Sequence, residues 1–117
     1  MADPSELTEM YDDAVKLKEE TRYNDAIDKL NQLLTKDESH ALSHLALADL
    51  YGKVGDHESA VKHGLRACEL EPNEAFNFTA MSVTYVRAFS ATQDHKYVRL
   101  AEEAKYTAAT LQMRRQP

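Results

Sequence analysis

His40 and His44 stand four residues apart, a spacing that puts two imidazoles on one helix face where a metal ion could bridge them. A zinc site needs further ligands, and no His-Glu-x-x-His run accompanies this pair. Cys68 is the single cysteine, so neither a thiolate cluster nor an intrachain disulfide can be built. The acid pairs Asp12-Asp13, Glu19-Glu20 and Glu102-Glu103 offer carboxylates for general acid–base work. Adjacent residues on a helix point in different directions, however, so such pairs make solvated faces rather than a shared proton site. No Gly-rich phosphate loop or strained nucleophile turn presents the serines and histidines. The expectation is a chain with no catalytic residues, no metal and no cofactor, and therefore no enzyme.

Composition narrows the remaining classes. Of 117 residues, 43% are hydrophobic and 29% charged, which is too apolar for a disordered chain. The formal net charge is −6, and no basic run exceeds Arg114-Arg115, so a nucleic-acid partner is not expected. No stretch approaches the roughly 18 apolar residues of a membrane span, and Met1 to Glu9 is polar and acidic, unlike a signal peptide. These features set the expectation of a cytoplasmic or similarly reducing compartment, without a membrane partner.

The elements that must position any site are helices. Only three Gly and three Pro interrupt the chain. Asp3, Pro4 and Glu6 form an N-terminal capping signature, after which Leu7, Met10, Tyr11, Ala14, Val15 and Leu17 recur at helical spacing to about Glu20. A break near Thr21 leads to a second helix carrying Tyr23, Ala26, Ile27, Leu30, Leu33 and Leu34. A third carries Leu42, Leu45, Leu47 and Leu50. Gly55-Asp56 turns the chain into a fourth helix that ends before Pro72. A fifth is expected over about Asn73 to Phe89, then a polar turn over 90–94. The sixth has a seam at Tyr97, Ala101, Ala104, Ala108 and Leu111.

Sliding the sequence by 34 residues aligns Ala14 with Ala48, Leu17 with Tyr51, Tyr23 with His57 and Ala26 with Ala60. A fixed period of this length means one supersecondary unit used several times, each burying its apolar face on the next. The middle unit reads His44-x2-Leu47-Ala48-x2-Tyr51, then Ala60-x3-Gly64, then Pro72. It resembles the tetratricopeptide repeat, whose pattern is Trp-x2-Leu-Gly-x2-Tyr, Ala-x3-Phe and Pro. Leu47, Tyr51, Ala60 and Pro72 match, while His44, Ala48 and Gly64 replace Trp, Gly and Phe. Gly64 costs up to about 1 kcal/mol in a helix, so it is expected to admit a bulky neighbour such as Phe78. The resemblance implies an all-α, right-handed α-solenoid of three antiparallel helix pairs in a single domain, 1–117. Its units fall at about 7–40, 41–74 and 75–114, with an insertion near 90–95.

In that family the first helix of each pair lines a concave groove that holds a partner segment. The resemblance therefore implies a protein or peptide partner and selects Tyr11, Val15, Lys18, Leu42, Leu45, Asp49, Lys53, Phe76, Val83 and Arg87 as groove residues, apolar with Lys18, Lys53 and Arg87 along one edge. The positions that grip an acidic C-terminal tail in co-chaperones fall on Tyr11, Val15, Ala46, Phe76 and Ala80. None is Lys, Arg or Asn, so that clamp is not expected here. An apolar or amphipathic segment fits better. The alternative expectation is a homodimer, joined through the groove or through an open C-terminal end where Ala104, Ala108 and Leu111 would await a seventh helix.

Overall fold

A computed structural model describes residues 3–115, and among them six helices follow one another: α1 (Pro4–Glu19), α2 (Tyr23–Lys36), α3 (Ala41–Lys53), α4 (His57–Leu70), α5 (Ala75–Thr92) and α6 (Lys96–Arg115). Short links fold them as the antiparallel pairs α1/α2, α3/α4 and α5/α6, and the pairs stack through α2–α3, α4–α5 and α3–α5. The result is a solenoid of three helix hairpins, 38 × 37 × 21 Å.

Local chemistry explains the helix ends. Asp3 accepts from the Ser5 backbone N–H at 2.9 Å, with Pro4 opening α1 where its missing N–H costs nothing. Glu6 does not return to Asp3 to complete the capping box; it pairs with Lys36 Nζ at 3.0 Å and ties α1 to α2. Asp56 caps α4 by accepting from the Ser59 N–H at 3.1 Å. Gly55 ends α3 in the left-handed region at φ 86°, and the N–H groups of Gly55 and Asp56 bond the carbonyls of Gly52 and Tyr51. Thr21 occupies the equivalent place after α1, 34 residues earlier, at φ 60°, and the Thr21 and Arg22 N–H groups bond the carbonyls of Lys18 and Leu17. Both are the same helix-terminating motif, but only one uses glycine. A β-branched residue there carries a strain of roughly 1–2 kcal/mol. Replacing it, Thr21→Gly, is expected to raise stability by about 0.5–1 kcal/mol once glycine's added chain entropy is subtracted, as read by urea unfolding.

The core has two apolar clusters. One joins α1, α2 and α3 through Ala14, Ala26, Ile27, Leu30, Leu47 and Leu50; the other joins α4, α5 and α6 through Cys68, Met81, Tyr85, Ala101 and Ala104. Small residues set the helix approach: Ala26 and Ala60 are fully buried. Gly64 is where the clusters meet, and its neighbour is Met81 of α5 rather than Phe78. A Cβ on Gly64 would run into Met81 Sδ and touch Ala48 Cβ at 3.6 Å. Phe78 instead packs, partly buried, against the second cluster, beside a cavity with Leu65 and Cys68. Gly64→Ala gains helix propensity but overpacks a Met81 that is only 2% exposed. A net loss of about 1 kcal/mol is expected, and Met81→Ala in the same chain should cost less than the two changes added.

Three further features that differ from the sequence expectation or lie outside it have physical causes. α5 starts at Ala75, with Glu74 as its cap, and runs on to Thr92, so residues 90–92 form its last turn rather than a polar loop. Thr92 Oγ1 bonds the Ala88 carbonyl at 2.8 Å, and Gln93 ends the helix at φ 58°. With 18 residues against 13 in α3, α5 itself holds much of the added length. Second, Ala104, Ala108 and Leu111 do not await a seventh helix. They are buried, as the seam that packs α6 on α5, and the exposed side of α6 carries Tyr106 and Met113. Third, Asn77 is 1% exposed although polar: its side-chain amide donates to the carbonyls of Ala67 and Glu71, satisfying the end of α4.

Candidate functional site: the concave groove

The first helices of the three pairs, α1, α3 and α5, enclose a groove of about 530 Å³. Tyr11 and Lys18 of α1 line it, with Leu42, Leu45 and Asp49 of α3 and Phe76, Val83 and Arg87 of α5. Ala46, Ala48, Thr79, Ala80 and Thr84 complete the lining, with Ala48 and Thr84 buried at its floor. The small floor residues leave the depth, and the large apolar ones stand at the walls. Phe76, Leu42 and Val83 are 64%, 55% and 47% exposed, an unusual concentration of apolar surface. Val15 is not in the lining of the main groove but in a small cavity adjoining it, among α1, α2 and α3, which shares Tyr11, Lys18 and Ala46 with the groove and adds Ala14, Leu30 and Leu50.

Lys18 and Arg87 line the groove, and Lys53, which is not among its lining residues, stands beside them at the end of α3. All three converge on one carboxylate, Asp49. Lys18 Nζ lies 2.8 Å from Oδ2; Arg87 donates to Oδ1 at 2.8 Å, and Lys53 Nζ is 3.5 Å from Oδ1. Burial alone would raise the Asp49 pKa, but pairing with Lys18 and Arg87 outweighs it and holds the group at about 2. Asp49 thus joins α1, α3 and α5 across the concave face. The sequence carried a partial sign of this: Asp49 and Lys53 are four apart on α3, and Arg87 follows Lys53 by 34. The groove-floor residues Ala48 and Thr84 gave no signal, since nothing in their type separates them from packing residues.

The two histidines that suggested a metal diverge. His40 Nδ1 meets Ser43 Oγ at 2.7 Å, whereas His44 turns inward, 4% exposed, with Nε2 2.8 Å from the Glu38 carbonyl and Nδ1 3.0 Å from His63 Nδ1. His63 also stacks on Tyr51. Glu38 is held at about 2 chiefly by its hydrogen bonds from Arg66. Among the described residues no three His, Cys, Asp or Glu side chains gather as a metal ligand set. Burial pushes the Cys68 thiol up to about 11, which removes its thiolate at neutral pH. Among the described residues no helix is long and apolar enough to cross a membrane.

This arrangement of three stacked hairpins around a groove has solved counterparts. The second tetratricopeptide domain of Spaghetti (RPAP3), bound to the HSP90 peptide SRMEEVD, matches with a TM-score of 0.75 at 19% identity, over 90% of this chain and 91% of that one. The chain has the tetratricopeptide-repeat fold. A second counterpart with this fold is the type III secretion translocator chaperone SycD of Yersinia enterocolitica, in an alternative dimer. Its TM-score is 0.69 at 12% identity, over 98% of both chains. No family model and no curated protein matches the sequence.

Proposed function

We propose that this chain is a non-catalytic interaction module whose concave groove holds an apolar or amphipathic segment of a partner protein. The observation that carries the reading is the apolar groove itself: Phe76, Leu42 and Val83 stand exposed around one 530 Å³ depression, where burial by a ligand would remove them from water. Each anchor is worth about 1.5–3 kcal/mol before ordering costs. One solved counterpart is bound to a peptide and another is named a chaperone, which agrees with a binding role. The positions of the co-chaperone clamp carry Tyr11, Val15, Ala46, Phe76 and Ala80, so the proposed ligand is not an acidic tail gripped by that clamp.

The test is affinity capture from native lysate beside the Phe76→Glu variant. Phe76 is exposed, so the variant should keep its helicity by circular dichroism while losing capture of the specific partner by at least roughly tenfold. Capture that survives the charge would count against this groove. A second reading, self-association through α6, draws on Tyr106 and Met113, which are 76% and 73% exposed. Light scattering over a range of concentrations separates the two, because a strictly monomeric species removes the homodimer.

A further inference from the structure

Resting on the groove reading, we infer that the partner segment carries carboxylates beside its apolar anchors, and that the Lys18–Lys53–Arg87 cluster receives them while Asp49 holds that place in the free protein. Three cations face one carboxylate, which leaves an excess of positive charge in a chain whose formal net charge is −6. Lys18 and Lys53 lie in the last turns of α1 and α3, where helix dipoles offset part of that excess. Arg87 lies more than a turn before the end of α5 and gains little from its dipole. The side chains of Lys18, Lys53 and Arg87 remain 41%, 30% and 40% exposed, so each keeps N–H donors free for a ligand.

The groove is thus polarised along its helices. Leu42 and Phe76 are the second residues of α3 and α5, while Lys53 closes α3. At 1.5 Å rise per residue, Leu42 and Lys53 are about 16 Å apart along the axis. An extended chain covers that in about five residues. The expected ligand is therefore an extended peptide with apolar anchors and, about five residues away, one or more Asp or Glu. Basic or uncharged segments with the same anchors should bind less well, because the first meets repulsion and neither compensates the cluster.

The test pans random linear peptides displayed on phage against the whole protein, with the Phe76→Glu variant as counter-selection. An enriched peptide is then synthesised with its acids intact and with each replaced by the corresponding amide. Enrichment of apolar–acidic sequences supports the inference. So does the variant behaviour: Lys18→Gln and Arg87→Gln each weaken the acidic peptide about fivefold, and Asp49→Asn raises the affinity ratio of acidic to amide peptide about fivefold. These differences should shrink in high salt. Enriched peptides without acids overturn the inference and leave the groove reading standing. The same holds if Asp49→Asn weakens both peptides alike, since Asp49 would then act only as a brace. No enrichment over Phe76→Glu, or a dimer that Phe76→Glu abolishes, overturns the groove reading and this inference together. Unchanged helicity of each variant at the assay temperature guards against a folding artefact; Asp49→Asn is expected to melt lower, since it gives up the ion pairs that join α1, α3 and α5.

Discussion

Leu47→Ala should destabilise the protein by about 3–4 kcal/mol, the largest loss expected from a single core substitution here. Leu47 is fully buried on α3, in the cluster built with Ala14, Ala26, Ile27, Leu30 and Leu50. Its neighbours come from three helices and two hairpins, so the vacated volume cannot be filled by moving one element. The cost then includes both the lost transfer free energy and an unrelaxed cavity. Set against the 5–15 kcal/mol that holds a domain of this size, the variant should melt roughly 10–15 °C lower. Calorimetry reads this directly, and a fall of only a few degrees would mean that the first hairpin collapses onto the gap.

The second large effect is a pH dependence that comes from His63. Burial, together with the nearby His44 and Lys62, pushes its pKa from 6.5 down to about 4. His44 Nε2 must donate to the Glu38 carbonyl, so its Nδ1 accepts when the ring is neutral, and the His63 Nδ1–H is the donor between the rings. A cationic His63 keeps that bond but becomes a half-buried charge. Because the folded pKa lies below the unfolded one, the unfolded chain binds the extra proton first. Stability should therefore be full above pH 6.5 and fall as the pH drops to about 4, by on the order of 2 kcal/mol after allowing for solvent screening. Glu38 and Asp49, both held at about 2, act in a lower window: their contribution is lost as the pH falls from about 4.5 to 2. His63→Gln should flatten the upper window and leave the lower one. Urea unfolding at closely spaced pH values separates them, and a wild-type curve flat from pH 7 to 4.5 would refute the assignment.

The parts of the fold that were legible in the sequence are those written in local chemistry. Gly55-Asp56 marked the turn into α4, Leu47, Tyr51 and Ala60 carried the repeat pattern, and Pro72 bounded α4. Thr21 was harder, because threonine is a poor choice for a left-handed residue and only the 34-residue alignment with Gly55 gives its role away. The end of α5 was misplaced because Ser90, Ala91 and Thr92 look like a turn by polarity alone. Thr92 spends its hydroxyl on the helix's own carbonyl, which polarity does not reveal. For the groove, the period identified which helix faces line it. It did not reveal that Lys18, Lys53 and Arg87 meet on Asp49, since that depends on how three helices stack. Nor did it reveal Asn77, whose partners lie on the preceding helix and at its C-cap.

The missing side chain at Gly64 has a bearing on how the chain melts. Arrays of hairpins behave as a row of units, each with its own stability and coupled only to its neighbours. Here Ala48 of α3, Gly64 of α4 and Met81 of α5 meet at one point, between an apolar cluster on α1–α3 and another on α4–α6. That contact is one of those through which α5 packs on α3 and α4. With it intact, the calorimetric and van't Hoff enthalpies should agree, and the three hairpins should unfold as one cooperative body. A methyl group there displaces Met81 and so weakens this coupling, beyond its cost of about 1 kcal/mol to overall stability. Gly64→Ala should therefore unfold less cooperatively than the unchanged protein, its calorimetric enthalpy exceeding the van't Hoff value.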